Sequence, residues 1–264
     1  MQQRHLDRWQ YFSELANTSR KYYIDYLKSY ISVTSDTKVL EIGCGEGGNL
    51  LPFAELGCYV KGIDLNAEKI ECAKSFFAKE GQNGDFCTEN FLNYPPESSE
   101  SKKFDVVLVH DCIEHIEPPY KEDFFLKIKP LMREDGIVFF GFPAWQMPFG
   151  GHQQICVSKI SKLPFIHLLP APLYKGLLKL AKENPGTIDE LLSIKRSRMP
   201  VEKFERLAKE TGDEIVGQQL WFINPHYEEK FHLKPRKLNT LIAKLPWVRN
   251  FFTTSAFYLL KCKI

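Results

Sequence analysis

The amino-acid sequence predicts an α/β fold with a mostly parallel sheet. Short apolar segments rich in β-branched residues alternate with segments of helical periodicity, and a glycine-rich turn directly follows the first of them. Strands that alternate with helices are joined by right-handed crossovers, which makes the strands parallel. The chain of 264 residues is 44% hydrophobic and 26% charged, which is usual for one large globular domain.

The elements of the first half are predicted from their residue patterns. A helical segment is predicted from Leu6 to about Ile31, and residues 1–37 that contain it would form an N-terminal cap. Strands are predicted at residues 39–42, 59–64, 86–88, 104–110 and 137–142. Helices are predicted at residues 49–56, 67–78 and 121–128. The strand at 104–110 is the clearest, because its apolar run is continuous and β-branched.

The pattern changes after residue 142. Residues 143–199 contain six prolines among aromatic residues and lysines, which predicts an inserted lid. A helix at 201–210 and strands at 214–223 and 255–260 then resume the sheet, and these two strands should form a hairpin-like pair. The chain is thus interpreted as one domain, residues 1–264, with a cap (1–37), a core (38–143), a lid (144–199) and the rest of the core sheet (200–264).

Charge is distributed unequally along the chain. Residues 1–143 hold 16 Lys or Arg and 23 Asp or Glu, a balance of −7, whereas residues 144–264 hold 19 and 10, a balance of +9. The two values sum to the net charge of +2. A basic second half could attract an anionic substrate, a lipid surface or nucleic acid, or could be only a solvated surface.

Cysteine usage and the absence of long apolar runs limit the class of protein. The seven cysteines include no C-x-x-C pair, which indicates reduced thiols in the cytoplasm and predicts no disulfide framework, zinc site or other metal site. No apolar run reaches the roughly 18 residues of a membrane span. Residues 1–5 lack the apolar segment of an export signal.

The glycine-rich turn at residues 41–47 has the sequence Glu-Ile-Gly-Cys-Gly-Glu-Gly. Glycines between a strand and a helix allow a tight turn and let a ligand approach the free N–H groups of the helix start. The spacing from Gly43 to Gly48 also satisfies the G-x-G-x-x-G pattern of dinucleotide sites. The turn alone therefore fits a nicotinamide or flavin cofactor as well as S-adenosylmethionine.

Two acidic residues favour S-adenosylmethionine. Glu41 lies on the strand two residues before Gly43, where a carboxylate would attract a cationic ligand and repel a pyrophosphate. Asp64 ends the second strand and could accept both hydroxyls of an adenosine ribose, although dinucleotide sites use the same residue. Glu41 is therefore the more discriminating of the two.

With these residues the chain resembles the class I S-adenosylmethionine-dependent methyltransferases, in particular the broad group that includes the quinone-biosynthesis O-methyltransferases. The matching motifs are residues 39–47, residues 63–66, residues 104–107 with Glu114-His115-Ile116, and residues 131–140. The resemblance covers residues 38–143 well and the C-terminal strands in outline. It implies a Rossmann-like, doubly wound sheet of seven strands with an antiparallel last strand, and S-adenosylmethionine as the cofactor.

The resemblance also implies roles for individual residues. The methionine part of the cofactor would lie in the turn that holds Glu41, Gly43, Cys44, Gly45 and Gly47. The adenosine part would contact Asp64 at the ribose, Leu65 on the adenine face, and Asn90 and Phe91 at the adenine amino edge. His110 would offer its backbone carbonyl, and Arg20, Tyr22 or Tyr23 of the N-terminal helices would reach the cofactor carboxylate.

Methyl transfer requires an aligned acceptor and, for a hydroxyl acceptor, a base. His110, Asp111, His115 and His152 are the candidate bases. His152 and Asp111 are preferred: His152 follows the paired Gly150 and Gly151, which would allow an exposed turn in the region of the substrate pocket. The alternatives are a capping or packing role for His115, helix capping by Asp111 and an ordinary loop position for His152.

The acceptor class is less defined by the sequence. The apolar, lysine-spaced segment 162–182 could contact a membrane interface, wall a lipid-sized pocket or simply cover the core as a lid. We expect methyl transfer to a hydroxyl of a small or lipid-like acceptor. The alternatives are a non-catalytic module that binds the cofactor or a partner, and an RNA methyltransferase. The last is disfavoured because no Asn-Pro-Pro-Tyr-type motif follows the fourth strand.

Overall fold

The computed structural model describes residues 7–96, 99–100 and 103–262. Its strands within these residues are β1 (Lys38–Ile42), β2 (Tyr59–Asp64), β3 (Asp85–Thr88), β4 (Phe104–His110), β5 (Met132–Phe142), β6 (Glu214–Ile223), β7 (Arg236–Lys237) and β8 (Ser255–Lys261). They form one sheet in the order β3-β2-β1-β4-β5-β8-β6-β7. Strands β1 to β5 are parallel, and β8 lies antiparallel between β5 and β6.

The predicted Rossmann-like fold is confirmed, with one difference in the strand count. The antiparallel pairing of β6 with β8 also confirms the expected hairpin-like pair. The described residues form eight strands rather than seven, because Arg236 and Lys237 add a short antiparallel edge to β6. This extra strand pairs with Trp221 and Ile223, at the end of β6.

Helices cover both faces of the sheet. They are α1 (Arg8–Thr18), α2 (Ile24–Lys28), α3 (Leu51–Glu55), α4 (Ala67–Lys79), α5 (Lys121–Ile128), α6 (Ala171–Leu180), α7 (Pro185–Ser197), α8 (Val201–Glu210), α9 (His226–Phe231), α10 (Thr240–Ala243) and α11 (Arg249–Phe252). Alternate residues of β4 point to opposite faces: Val106 and Leu108 pack with the N-terminal helices, and Val107 and Val109 with α5 and α8. The continuous apolar run of β4 therefore supplies both halves of the core.

The N-terminal cap packs directly on the glycine-rich turn. Asp7 caps α1 by accepting a hydrogen bond from the Gln10 N–H at 2.9 Å, whereas Leu6, where the cap was predicted to begin, lies outside the described residues. A Cβ atom on Gly48 would lie 2.5 Å from the Phe12 carbonyl oxygen. Only glycine allows α1 to approach the turn this closely.

The lid has a small core of its own. It contains α6 and α7, and Cys156, Tyr174, Leu178 and Leu191 form a buried cluster between them and the preceding loop. Helix α6 buries Tyr174 and Leu178 but leaves Leu173 62% and Leu180 86% exposed. Among the helices of the described residues, none is long and apolar enough to cross a bilayer.

Candidate functional site

The turn after β1 is shaped by left-handed glycines and closed by a carboxylate. Gly43, Gly45 and Gly47 have φ values of 76°, 55° and 82°, which residues with a Cβ rarely adopt. The Asp64 carboxylate, at the end of β2, accepts hydrogen bonds from the N–H groups of Gly45 at 2.9 Å and Asn66 at 2.8 Å. A Cβ atom on Gly45 would come no closer than 4.0 Å to atoms beyond its chain neighbours, so a ligand has room to approach this backbone.

Glu41 is a buried acid beneath this turn. The residue is 1% exposed, and its Oε1 accepts a hydrogen bond from Asn49 Nδ2 at 2.6 Å. Its Oε2 is buried without a hydrogen-bond partner in the part of the chain that the structure describes. Burial raises the pKa of Glu41 to about 8, with a contribution from Asp64, although the bond from Asn49 acts in the opposite direction. A cationic ligand such as S-adenosylmethionine would favour the ionised form.

The residues predicted to surround adenine have unequal access to a ligand. Leu65 is 72% exposed, so its side chain is available to a planar ring. Asn90 Oδ1 already accepts a hydrogen bond from the Leu92 N–H at 3.0 Å. Phe91 is buried, and its ring packs against Phe124 with centroids 5.0 Å apart. The Phe91 side chain therefore belongs to the core, and only its backbone could contact adenine.

His110, at the end of β4, is bound to the N-terminal cap. Its side chain is 5% exposed, and its Nε2 lies 2.7 Å from the Tyr23 hydroxyl oxygen. Of the three cap residues expected to reach the cofactor, Tyr23 is the one beside β4, because Arg20 and Tyr22 bind glutamates of other elements. The His110 ring therefore binds Tyr23 and does not open into the cleft.

Asp111 begins the loop after β4 and faces the cleft. It has a φ of 46°, its N–H donates to the Gly141 carbonyl at 2.8 Å, and its side chain is 45% exposed. Burial and, to a smaller extent, the charge of Asp111 raise the pKa of Tyr11 and Tyr227. Helix capping by Asp111 is wrong, because α5 begins only at Lys121.

Glu114, His115 and His152 come together beside Asp111. Each offers a ligand atom, and these atoms lie within 4.8 Å of one another. His152 Nε2 is 3.9 Å from Glu114 Oε1, and the two imidazole centroids are 4.9 Å apart. Glu114 is 3% exposed, and neither of its carboxylate oxygens has a hydrogen-bond partner in the described residues.

The protonation states in this cluster follow from burial. Burial and the charge of Asp111 raise the pKa of Glu114 well above its ordinary value. Burial also lowers the pKa of His152 to about 4, and electrostatic interactions with His167 and Lys230 act in the same direction. His152 is therefore neutral at neutral pH, with a ring nitrogen that can accept a proton or bind a metal ion.

The turn before His152 differs from the sequence-based expectation. Gly150 and Gly151 are buried, not exposed: a Cβ atom would lie 2.3 Å from the Trp145 carbonyl oxygen at Gly150 and 2.3 Å from the His167 Cβ at Gly151. The glycines therefore permit close packing within the lid. His152 itself has a φ of 55°, so packed neighbours hold it in a left-handed conformation.

Sequence reasoning missed several groups that face the cleft. Tyr11 and Tyr227 come from α1 and α9, more than 200 residues apart, and no local pattern relates them. Glu114 was noticed only as part of a motif, although an acid at the start of an apolar loop could have indicated burial. The sequence predicted no metal site because that prediction relied on the spacing of the cysteines. The cluster of Glu114 with two histidines contains no cysteine.

The comparisons with known proteins agree with this geometry. Residues 39–136 match the family model described as a methyltransferase domain. This segment contains β1 to β4, the glycine-rich turn, Asp64 and the Glu114 loop. Residues 39–136 are therefore similar to a methyltransferase domain, and S-adenosylmethionine is the cofactor that this similarity implies.

The most informative relatives are similar over this part of the chain. The ubiquinone biosynthesis O-methyltransferase of Actinobacillus pleuropneumoniae is 29% identical over 120 residues, 44% of this chain and 50% of that protein. The protein of the same name from Pelagibacter ubique is 36% identical over 103 residues, 39% and 40% of the two chains. The chain thus spans about half or less of the length of these relatives. A methyltransferase structure from Clostridium acetobutylicum, described as S-adenosylmethionine-dependent, shares the fold, with a TM-score of 0.59 at 12% identity over 93% and 91% of the two chains.

Proposed function

We propose that this protein transfers the methyl group of S-adenosylmethionine to a hydroxyl of a small, lipid-like acceptor. The observation that carries this proposal is the cluster of Glu114, His115 and His152 beside Asp111. A hydroxyl acceptor must lose a proton during transfer, and this cluster offers proton acceptors at the carboxyl ends of the central strands. The O-methyltransferase names of the relatives support the same acceptor atom.

The cofactor residues proposed from the sequence have clear roles in this geometry. Glu41 would neutralise the cationic methionine part, which would lie against the backbone of Gly43, Cys44, Gly45 and Gly47. Asp64 would accept the ribose hydroxyls while it holds the turn, and Leu65 would cover one face of adenine. Asn90, the backbone of Phe91 and the backbone carbonyl of His110 complete the proposed contacts. Residues 1–37 then act as a cap and residues 144–199 as a lid over the core.

The transfer itself is a single displacement. A lone pair of the acceptor oxygen attacks the sulfonium methyl carbon, the carbon–sulfur bond breaks, and the electron pair remains on the sulfur of S-adenosylhomocysteine. The hydroxyl proton passes to a base. His152 is the first candidate base because its ring is neutral and its Nε2 lies 3.9 Å from Glu114 Oε1. Asp111 is the second candidate, since its carboxylate is exposed there.

The same side chains also suit a divalent cation. Two imidazole nitrogens and a carboxylate oxygen within 4.8 Å are an appropriate donor set for Zn²⁺, Fe²⁺ or Mn²⁺. Bound there, a cation would lower the pKa of the acceptor hydroxyl, so His152 would act as a ligand and not as the base. Both roles place the acceptor oxygen at the same position.

A groove between the loop after Glu114 and the lid helices α6 and α7 supports an acceptor with an apolar part. It has a volume of about 920 Å³. Pro118, Pro172 and Leu192 contribute apolar surface, and the cations Lys175, Lys195, Arg196 and Arg198 line the same groove. A molecule with an apolar part and a polar or anionic group would fit this combination.

Turnover assays would separate these possibilities. The protein would be incubated with radiolabelled S-adenosylmethionine and a panel of phenols with and without prenyl chains, before and after treatment with EDTA. Transfer that survives EDTA but is lost in His152→Asn identifies a base; transfer lost in EDTA and restored by Mn²⁺ identifies a metal ligand. Label that appears only on amines or on RNA would contradict the proposal, and cofactor binding without any transfer would favour a non-catalytic module.

A further inference from the structure

Two segments far apart in sequence expose large apolar side chains. In the lid loop, Val157, Ile160, Leu163 and Phe165 are 78%, 58%, 52% and 41% exposed. Near the C-terminus, the exposed residues are Leu241, Leu245, Trp247, Val248, Phe251 and Phe252, at 40% to 74%. The described residues include 23 exposed large hydrophobic side chains. Ten of them lie in two segments, 157–165 and 241–252, which together span only 21 residues. Isolated exposed hydrophobics are ordinary, but such a concentration is typical of an interaction surface.

The two segments are parts of one surface. The Phe165 ring lies against the Phe251 ring, with centroids 6.4 Å apart, so the lid loop meets α11. We call these ten exposed side chains, on residues 157–165 and 241–252, the apolar ridge. The ridge joins the lid loop to the C-terminal segment that contains α11. No local sequence pattern relates these two segments.

The exposure of the C-terminal part is built into the fold. Asn250 is fully buried. Its side chain accepts a hydrogen bond from the Val201 N–H at 2.8 Å and donates one to Glu202 at 2.6 Å. Arg249 also turns inward, where it binds Glu202 at 2.9 Å. Arg249 and Asn250 therefore face the protein while their neighbours Trp247, Val248, Phe251 and Phe252 are exposed, which reverses the usual pattern of a surface helix.

The lid loop shows the same reversal. Ser161 is fully buried, while its neighbour Ile160 is exposed. The Glu183 carboxylate accepts hydrogen bonds from the backbone N–H groups of Val157 at 2.9 Å and Ser158 at 2.8 Å. These contacts hold the loop in place, so its apolar side chains are presented outward by a fixed backbone.

Each ridge segment lies in a stretch of sequence whose charges are all positive, and the glutamates that contact these segments, Glu183 and Glu202, are largely covered. Residues 144–182 contain five lysines and neither aspartate nor glutamate. From Lys230 to the end of the sequence there are eight Lys or Arg and again neither aspartate nor glutamate. Lys159, Lys244 and the Arg236–Lys237 edge strand are all exposed. A second copy of the chain would present the same positive charge and be repelled, whereas an anionic bilayer surface is complementary.

We propose that the apolar ridge docks the protein onto an anionic membrane surface, with its apolar side chains in the interface and its lysines at the lipid phosphates. The ridge is connected to the site by hydrogen bonds: Gln153, next to His152, donates from its Nε2 to the carbonyls of Pro148 and Leu163, and the Phe165 N–H donates to the Pro148 carbonyl at 2.8 Å. Docking would thus bring the His152 side of the cleft to the lipid phase. This inference extends the proposed function, since it supplies a route for a lipid-like acceptor.

Vesicle flotation tests the proposal. Phosphatidylcholine vesicles with phosphatidylglycerol should carry the protein upward, and vesicles of phosphatidylcholine alone should carry much less. The double variant Leu163→Ser with Trp247→Ser should lower the affinity for anionic vesicles at least about tenfold, because two interfacial side chains are lost. Leu56→Ser is the matched control: Leu56 is 43% exposed, lies outside the ridge and should leave flotation unchanged.

Fluorescence gives a second readout that does not depend on the double variant. Trp247 is 59% exposed, so its emission should shift to the blue on addition of anionic vesicles, and the shift should be absent in Trp247→Ser. No flotation of the unmodified protein, equal flotation of the double variant, or a dimer that the double variant dissociates would each overturn the proposal. Cofactor titration and turnover on soluble acceptors test the proposed function separately, because no ridge residue contacts the cofactor turn.

Discussion

The two halves of the chain use their side chains in opposite ways. The first half, with a charge balance of −7, buries carboxylates without full hydrogen bonding, at Glu41 and Glu114. The second half, with a balance of +9, exposes apolar side chains and turns Arg249 and Asn250 inward. Each departure from ordinary folding is costly on its own. The difference teaches that the first half is shaped for a cationic cofactor, and the second for the acceptor and its surroundings.

The largest effect is expected at the junction of the two halves. His152→Asn should lower kcat about 10²- to 10⁴-fold, the range typical of a lost general base, and should leave the affinity for S-adenosylmethionine unchanged. Asparagine tolerates the left-handed φ of 55° at this position. Steady-state kinetics with a titration of the cofactor would check it. A parallel loss of cofactor affinity would contradict this prediction, because it would show that His152 contributes to cofactor binding.

In the first half, Asp64→Ala should weaken cofactor binding about a hundredfold. The change removes the proposed contacts to the ribose and also the hydrogen bonds that hold Gly45 and Asn66. Isothermal titration would measure the loss, with Asp85→Ala as the control, since that acid pairs with Lys61 on the surface. Affinity within twofold of the unmodified protein would refute the assignment of Asp64.

The close approach of α1 to the turn gives a prediction about stability. Gly48→Ala should lower the free energy of unfolding by about 1–3 kcal/mol, because its Cβ would meet the Phe12 carbonyl. The matched control is Gly176→Ala on α6, where a Cβ would meet nothing within 4 Å; this change should stabilise by about 0.5–1 kcal/mol. Chemical denaturation of both variants measures the difference. Equal stabilities would show that the cap is not packed on the turn.

The raised pKa of Glu41 gives a prediction about the pH dependence of cofactor binding. The pKa of Glu41 is raised to about 8, so at pH 6 to 8 this acid is protonated in the folded protein and must ionise to bind a cation. Affinity should rise up to about tenfold per pH unit between pH 6 and 8 and then level off. Because the pKa is raised on folding, Glu41 also favours the folded state less as pH increases from about 4.5 to 8. Titrations across this range check it, and a Glu41→Gln variant that keeps the same slope would contradict it.

The sequence predicted the first half far better than the second. Strand ends, the glycine turn and Asp64 are local patterns whose geometry follows from the parallel sheet, so their neighbourhood could be inferred. The cluster of Glu114 and His152 could not, because the lid path that joins them depends on packing at Gly150 and Gly151. The same holds for the apolar ridge. In the sequence its members are typical of core residues, and only the structure shows that Asn250 faces inward and that they are exposed.

Binding of S-adenosylmethionine is the most direct test of this division of roles. In isothermal titration, the unmodified protein should bind S-adenosylmethionine and S-adenosylhomocysteine with one-to-one stoichiometry and should not bind NADH, because a pyrophosphate offers the buried Glu41 no cation with which its ionised form could pair. Binding should release protons at pH 7, as Glu41 ionises. Binding of NADH, or no heat with S-adenosylmethionine, would contradict the account of the first half.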